Sequence, residues 1–114
     1  MNMDIYGLSD KGEKNEDWFI KSKKGKYAIV ADGMGGHLGG EVASRMCTDR
    51  ISELIDSGKE SYFDMHSLKT FLKCVTEKTN YEIYQRSMQE DNLRGMGTTL
   101  SLLMEYNRKV IILN

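Results

Sequence analysis

The stretch Ile29-Val-Ala-Asp-Gly-Met-Gly-Gly-His-Leu-Gly-Gly-Glu-Val-Ala-Ser44 decides how the chain is read. An apolar run ends in an acid at Asp32. A turn rich in glycine follows, carries His37, and leads into an amphipathic segment. Gly33, Gly35, Gly36, Gly39 and Gly40 are five of the chain's 11 glycines. Such a turn has little side-chain bulk and wide backbone freedom, so its main chain can approach an ion or ligand beside an acid and an imidazole.

Outward from that stretch, the apolar run Tyr27–Ala31 is bounded by turn signals and reads as a buried central strand that delivers Asp32 to the end of a sheet. Before it, Met3–Leu8 and Trp18–Ile20 read as short strands. Lys21–Lys26, basic and containing Gly25, reads as a solvated hairpin turn between strands. After it, a helix is expected from Gly40 or Glu41 to Asp56, because Val42, Ala43, Met46, Ile51, Leu54 and Ile55 recur at helical spacing. Ser57-Gly58 suits its end, where glycine often takes the left-handed conformation. Lys59–His66 is expected as a loop. A second helix is expected from Ser67, as N-cap, towards Met88, with Leu68, Phe71, Leu72, Val75, Ile83 and Tyr84 on its apolar face. A polar loop, Gln89–Arg94, then precedes strands at Met96–Met104 and Val110–Leu113.

This order gives about five strands and two helices. The two helices follow one another without an intervening strand, which argues for an α+β layered domain and against a doubly wound parallel sheet. The apolar run that reaches almost to Asn114 leads to the expectation that a connection follows it, so residues 1–114 are expected to be the N-terminal portion of a single domain.

The totals exclude several classes. With 39% hydrophobic and 29% charged residues and a formal net charge of -1, the chain is ordinary for a globular domain and has no nucleic-acid footprint. Cys47 and Cys74 show neither CxxC nor finger spacing, so zinc is not expected. Both fall in helical patterns, where buried free thiols are expected. No apolar run approaches the roughly 18 residues of a membrane helix, and the N-terminus lacks signal-peptide character. A cytoplasmic protein without a membrane partner is the expectation.

Glu16, Asp17 and Asp32 are acids placed at strand edges near turns. Hard carboxylate oxygens meeting at a sheet end suit Mg²⁺ or Mn²⁺, and the Gly33 carbonyl could join them. A pair of such ions would activate a shared water, and His37 could protonate a leaving oxygen. Taken singly, each feature reads as readily as a turn: Asp32-Gly33 after an apolar run, Asn15-Glu-Asp17 after a polar one. A nucleotide loop is disfavoured, since GxxxxGK[ST] is absent and Leu38 stands where GxGxxG needs its third glycine.

In combination these blocks resemble the protein phosphatase 2C family of metal-dependent serine/threonine phosphatases, in its bacterial form. Ser9-Asp-Lys-Gly12 with Asn15-Glu-Asp-Trp-Phe19 is similar to the family's first motif, and Val30–Ser44 to its most distinctive one. Gly95-Met-Gly-Thr-Thr-Leu100 is similar to its Met-Gly-Thr-Thr block, and Val110–Asn114 to the strand before its Gly-Asp-Ser block. The resemblance implies an α-β-β-α sandwich of two antiparallel sheets flanked by helices, of which this chain is the N-terminal part. It implies a dinuclear Mg²⁺ or Mn²⁺ centre, with Asp32 bridging the ions, Glu16 and the Gly33 carbonyl as ligands, Asp17 holding water, and His37 as general acid. The implied substrates are phosphoserine and phosphothreonine proteins, often opposite a Ser/Thr kinase. The family's phosphate-gripping arginine has no counterpart before Asn15, which leaves Lys11 or Lys14 as weak substitutes, since a lysine lacks the bidentate fork. The acids of the later motifs would follow Asn114. The isolated fragment is therefore expected to be inactive and to self-associate through an exposed sheet edge. The alternative is a non-catalytic relative acting as a protein-binding module.

Overall fold

The computed structural model describes residues 17–21 and 26–114. Strands β1 (Asp17–Lys21) and β2 (Tyr27–Met34) pair antiparallel. Helices α1 (His37–Ser57) and α2 (Met65–Gln89) follow in succession, then β3 (Gly97–Thr98), β4 (Ser101–Tyr106) and β5 (Lys109–Leu113). The sheet runs in the order β1-β2-β4-β5, with β3 paired to β2 beyond β4. All pairings are antiparallel, so the expected α+β class holds. The expected strand Met3–Leu8, Lys11, Lys14 and Glu16, and the turn residues around Gly25, lie outside the described residues.

Alternation sets the layers. On β2, Tyr27, Ile29 and Ala31 are buried, and Leu102 and Met104 join them from β4. From α1 come Ala43, Cys47, Ile51 and Ile55, and from α2 Leu68, Leu72, Val75 and Ile83. Both helices cover this one face of the sheet. Four small hydroxyl residues of these helices, Ser44, Thr48, Thr79 and Ser87, are buried, and each hydroxyl donates to a carbonyl of its own helix, so none needs a partner elsewhere. Between the helices, Arg50 of α1 forms a bidentate pair with Glu82 of α2, at 2.8 and 3.2 Å. At the opposite end of β2 from Asp32, the Tyr27 hydroxyl donates to Asp56 at 2.7 Å and shares a hydrogen bond with Ser52, and burial pushes its pKa up to about 12.

The other face of the sheet carries exposed apolar residues: Val30 on β2, and Val110 and Ile112 on β5. Ile112 is 71% exposed, and β5 forms one edge of the sheet among the described residues. Thus one layer of helices is in place, and the opposite apolar face has no cover within the described residues.

Several local readings are corrected. Helix α1 begins at His37, a turn earlier than expected, because Gly39 and Gly40 lie within the helix rather than ahead of it. Gly58 has φ -104°, which is not left-handed; glycine is needed there for space, since a Cβ would sit 2.5 Å from the Phe71 ring. Helix α2 is capped by Asp64, not Ser67. The Asp64 side chain accepts from the Ser67 amide at 2.8 Å while the Ser67 hydroxyl accepts from the Asp64 amide, a reciprocal capping box. Short 3-10 turns occupy Lys59–Ser61 and Asp91–Leu93 within the expected loops. Tyr84 is 61% exposed rather than on the buried face. Cys74 is exposed; only Cys47 is buried, and burial pushes its thiol pKa up to about 11, which favours the protonated form.

Candidate metal and phosphate site

Asp32 does not stand at the end of its strand. β2 continues through Gly33 to Met34, with β1 on one side and the β3–β4 segment on the other. Asp17 of β1 is the register partner of Asp32. Two acidic residues therefore occupy one cross-strand pair at the same end of the sheet.

On the other side, the expected strand Met96–Met104 is interrupted at Thr99 and Leu100, although its register with β2 runs on unbroken from Met104 to Gly97. Two threonines explain the gap. The Thr99 amide donates to the Asp32 carbonyl at 2.9 Å, as a ladder bond should. The Asp32 amide, however, donates to the Thr99 hydroxyl at 3.1 Å and not to its carbonyl. That carbonyl instead accepts from the Thr98 hydroxyl at 2.9 Å. The hydroxyl of Thr99 thus replaces a main-chain acceptor, and that of Thr98 satisfies the carbonyl so displaced. The main chain of Asp32 is held at both its N–H and its C=O. Its carboxylate is exposed, and among the described residues no hydrogen bond or ion pair engages it.

Glycines set the approach of α1. A Cβ on Gly33 would run into the Gly40 carbonyl oxygen, with the carbonyl carbon at 2.5 Å and Cα at 2.8 Å. The strand and the first turn of the helix therefore touch main chain to main chain. The link between them is Gly35 and Gly36, at φ +107° and +86°, a region that L side chains rarely adopt. Gly35 also lies against Gly95 and Met96, where a Cβ would be 2.8 Å from the Gly95 carbonyl oxygen. Gly36 is the N-cap and supplies no side-chain acceptor, so the amides at the start of this long helix have no side-chain cap.

Of the sequence-derived candidates, the fold brings Asp17, Asp32 and Gly33 to one sheet end and sets His37 at the first position of α1 just beyond it. Glu16, Lys11 and Lys14 lie outside the described residues. Among the described residues no three His, Cys, Asp or Glu side chains are grouped to hold an ion. The donor set nonetheless suits a hard cation: an unengaged carboxylate on a fixed backbone, a carbonyl flanked by no side chain, and a second acid in register. Sequence reading missed Thr98 and Thr99 as the clamp; the signal was present in two adjacent hydroxyl residues breaking an otherwise apolar strand.

Comparison with known proteins bears on this site. The protein phosphatase 2C family profile matches residues 8–114. The serine/threonine phosphatase stp of Listeria innocua is 36% identical over 104 residues, which is 90% of this chain and 40% of that protein. Protein phosphatase PhpP of Streptococcus pneumoniae is 32% identical over 116 residues, 96% of this chain and 46% of its own length. Among solved structures, Stp1 from Staphylococcus aureus superposes with a TM-score of 0.76 at 28% identity, covering 92% of this chain and 43% of that one. The catalytic domain of the serine/threonine phosphatase PstP, solved in complex with two manganese ions, superposes with a TM-score of 0.71 at 25% identity over 94% of this chain and 53% of that one. The chain thus spans less than half the length of the curated relatives it matches.

If the Thr99 hydroxyl holds the strand end, Thr99→Val, nearly isosteric, leaves the Asp32 amide without its acceptor and lowers unfolding stability by about 1 kcal/mol in urea titration, while Thr99→Ser loses less. Equal stability of all three proteins would refute the clamp.

Proposed function

We propose that this chain, which belongs to the protein phosphatase 2C family, is the N-terminal portion of a single catalytic domain that hydrolyses phosphoserine and phosphothreonine in proteins with Mg²⁺ or Mn²⁺. The observation that carries the reading is the exposed carboxylate of Asp32, on a main chain fixed by Thr99 and in register with a second acid. Like charges at paired register positions are destabilising by themselves, and a divalent cation removes that cost. The PstP catalytic domain, solved in complex with two manganese ions, supports the choice of metal.

In this reading Asp32 would be shared by two ions, Glu16 and the Gly33 carbonyl would be further ligands, and Asp17 would orient water by hydrogen bonding. Bound ions would supply a lowered water pKa and offset the charge of the phosphoryl group. Gly33 offers a main-chain carbonyl with no side chain of its own beside it. His37, at the first turn of α1, delivers a proton from its imidazole to the departing serine or threonine oxygen, a task suited to a group titrating near neutrality. Lys11 or Lys14 stands in, weakly, for an arginine at the substrate phosphate. The remaining acidic ligands come from beyond the 114 residues. Phosphoproteins are the substrates, a Ser/Thr kinase acts in opposition, and the setting is cytoplasmic; no described helix is long and apolar enough to cross a membrane.

The test uses a protein of the relatives' full length. Mn²⁺-dependent hydrolysis of p-nitrophenyl phosphate and of a phosphothreonine peptide is expected, with a loss of at least about 100-fold in Asp32→Ala, in line with removal of a group that stabilises charge in the transition state. Activity retained in that variant would sink the bridging role. The 114-residue chain alone is expected to be inactive and, because Val30, Val110 and Ile112 are exposed on a sheet face that the described residues leave uncovered, to associate. Light scattering at the mass of a monomer across the micromolar range would count against that.

A further inference from the structure

Beside the Asp32 strand end lies a notch of about 260 Å³ between the sheet and the C-terminal half of α2. Met34, Met96, Ile83 and Tyr84 make its apolar walls, and Asn80 and Thr98 put polar groups at its margin. Ile83 and Met96 are buried, whereas Met34 and Tyr84 are more than half exposed, so the notch is a partly formed apolar recess open to solvent. Gly97 also lines it, beside the Met34 side chain.

Its position relative to the candidate site is fixed by strand geometry. Met34 is two residues beyond Asp32 on β2, and both are exposed. Two strand residues span about 7 Å. Thr98, at the notch margin, pairs with Gly33 and is the neighbour of Thr99, which holds Asp32. An extended peptide whose phosphorylated residue sits at Asp32 therefore carries a side chain two residues away, about 7 Å along, to the mouth of the notch. Met34 thus belongs both to the strand that carries Asp32 and to the wall of the notch, which is large enough for a side chain of several carbons.

We infer that this notch receives an apolar side chain of the phosphoprotein substrate two residues from the phosphorylated position, so that Tyr84 and Met34 select among substrates. The inference rests on the phosphatase reading of Asp32. It also gives Tyr84 a reason to be exposed at a position where helical periodicity would bury it: Tyr84 covers no core and forms an open wall. Tyr81, one turn earlier and equally exposed, does not line the notch and serves as the control.

The experiment measures kcat/KM of the full-length enzyme with Mn²⁺ on paired phosphothreonine peptides bearing leucine or serine two residues to either side, together with p-nitrophenyl phosphate, which has no flanking residues. The parent enzyme is expected to favour leucine on one side by about tenfold, mainly through KM. Tyr84→Ala brings that ratio near one, and Tyr81→Ala leaves it as in the parent. Because the result is a ratio between two peptides, a general change in activity cancels. A parent ratio near one on both sides, or a tenfold ratio that survives Tyr84→Ala, overturns the inference while p-nitrophenyl phosphate hydrolysis keeps the phosphatase reading intact. Absence of Mn²⁺-dependent hydrolysis of every substrate overturns both.

Discussion

The structure depends on one contact: the main chain of Gly33 at the end of β2 against the main chain of Gly40 in the first turns of α1. No side chain fits between them. This approach brings the start of a 21-residue helix to the end of the central strand and forces the connecting turn through two positive φ values at Gly35 and Gly36. It also seats Gly39 against Met96, where a Cβ would be 3.1 Å from the methionine Cβ, so the returning chain packs on the same corner. From that corner the threonine pair reaches back to fix Asp32. The acid is therefore held by rigid elements on every side described, and its carboxylate alone is left for other work. Preorganisation of this kind lets a charged group act on a ligand without first being ordered.

The rest of the fold serves that corner. Helices α1 and α2 bury small hydroxyl residues satisfied within their own helices, and the Arg50–Glu82 pair joins the two. Their packing fixes where α2 returns, which in turn sets Ile83 and Tyr84 beside β3 and Met34. The opposite sheet face is a different case. Val30, Val110 and Ile112 stand exposed there, consistent with an architecture in which a second layer belongs on that face.

Much of this was legible in the sequence. The apolar run ending at Asp32 gave the central strand, and the helical spacing of Val42, Ala43, Met46, Ile51, Leu54 and Ile55 gave α1's apolar face, of which Ala43, Ile51 and Ile55 are buried. What escaped was set by tertiary contact. Glycine is a poor helix former, and the start of α1 was expected only at Gly40 or Glu41; Gly39 and Gly40 both lie in the helix, where glycine lets strand and helix touch. Gly58 looked like a left-handed stop, yet its role is to clear the Phe71 ring from the next helix. Ser67 is a good cap by type, but Asp64, three residues earlier, takes that place and leaves Ser67 the reciprocal half of the box. At Thr99 the adjacent hydroxyl residues marked a break in the strand, but not its cause, a hydroxyl substituting for a carbonyl across 67 positions of sequence.

The central claim is that this corner holds Asp32 as a shared ligand of two divalent ions. Calorimetric titration of the full-length protein with Mn²⁺ tests it most directly, since it needs no substrate and no turnover. Two ions per chain are expected to bind the parent protein, and no more than one is expected to bind Asp32→Ala. Two ions bound by the variant with unchanged affinity would contradict the account.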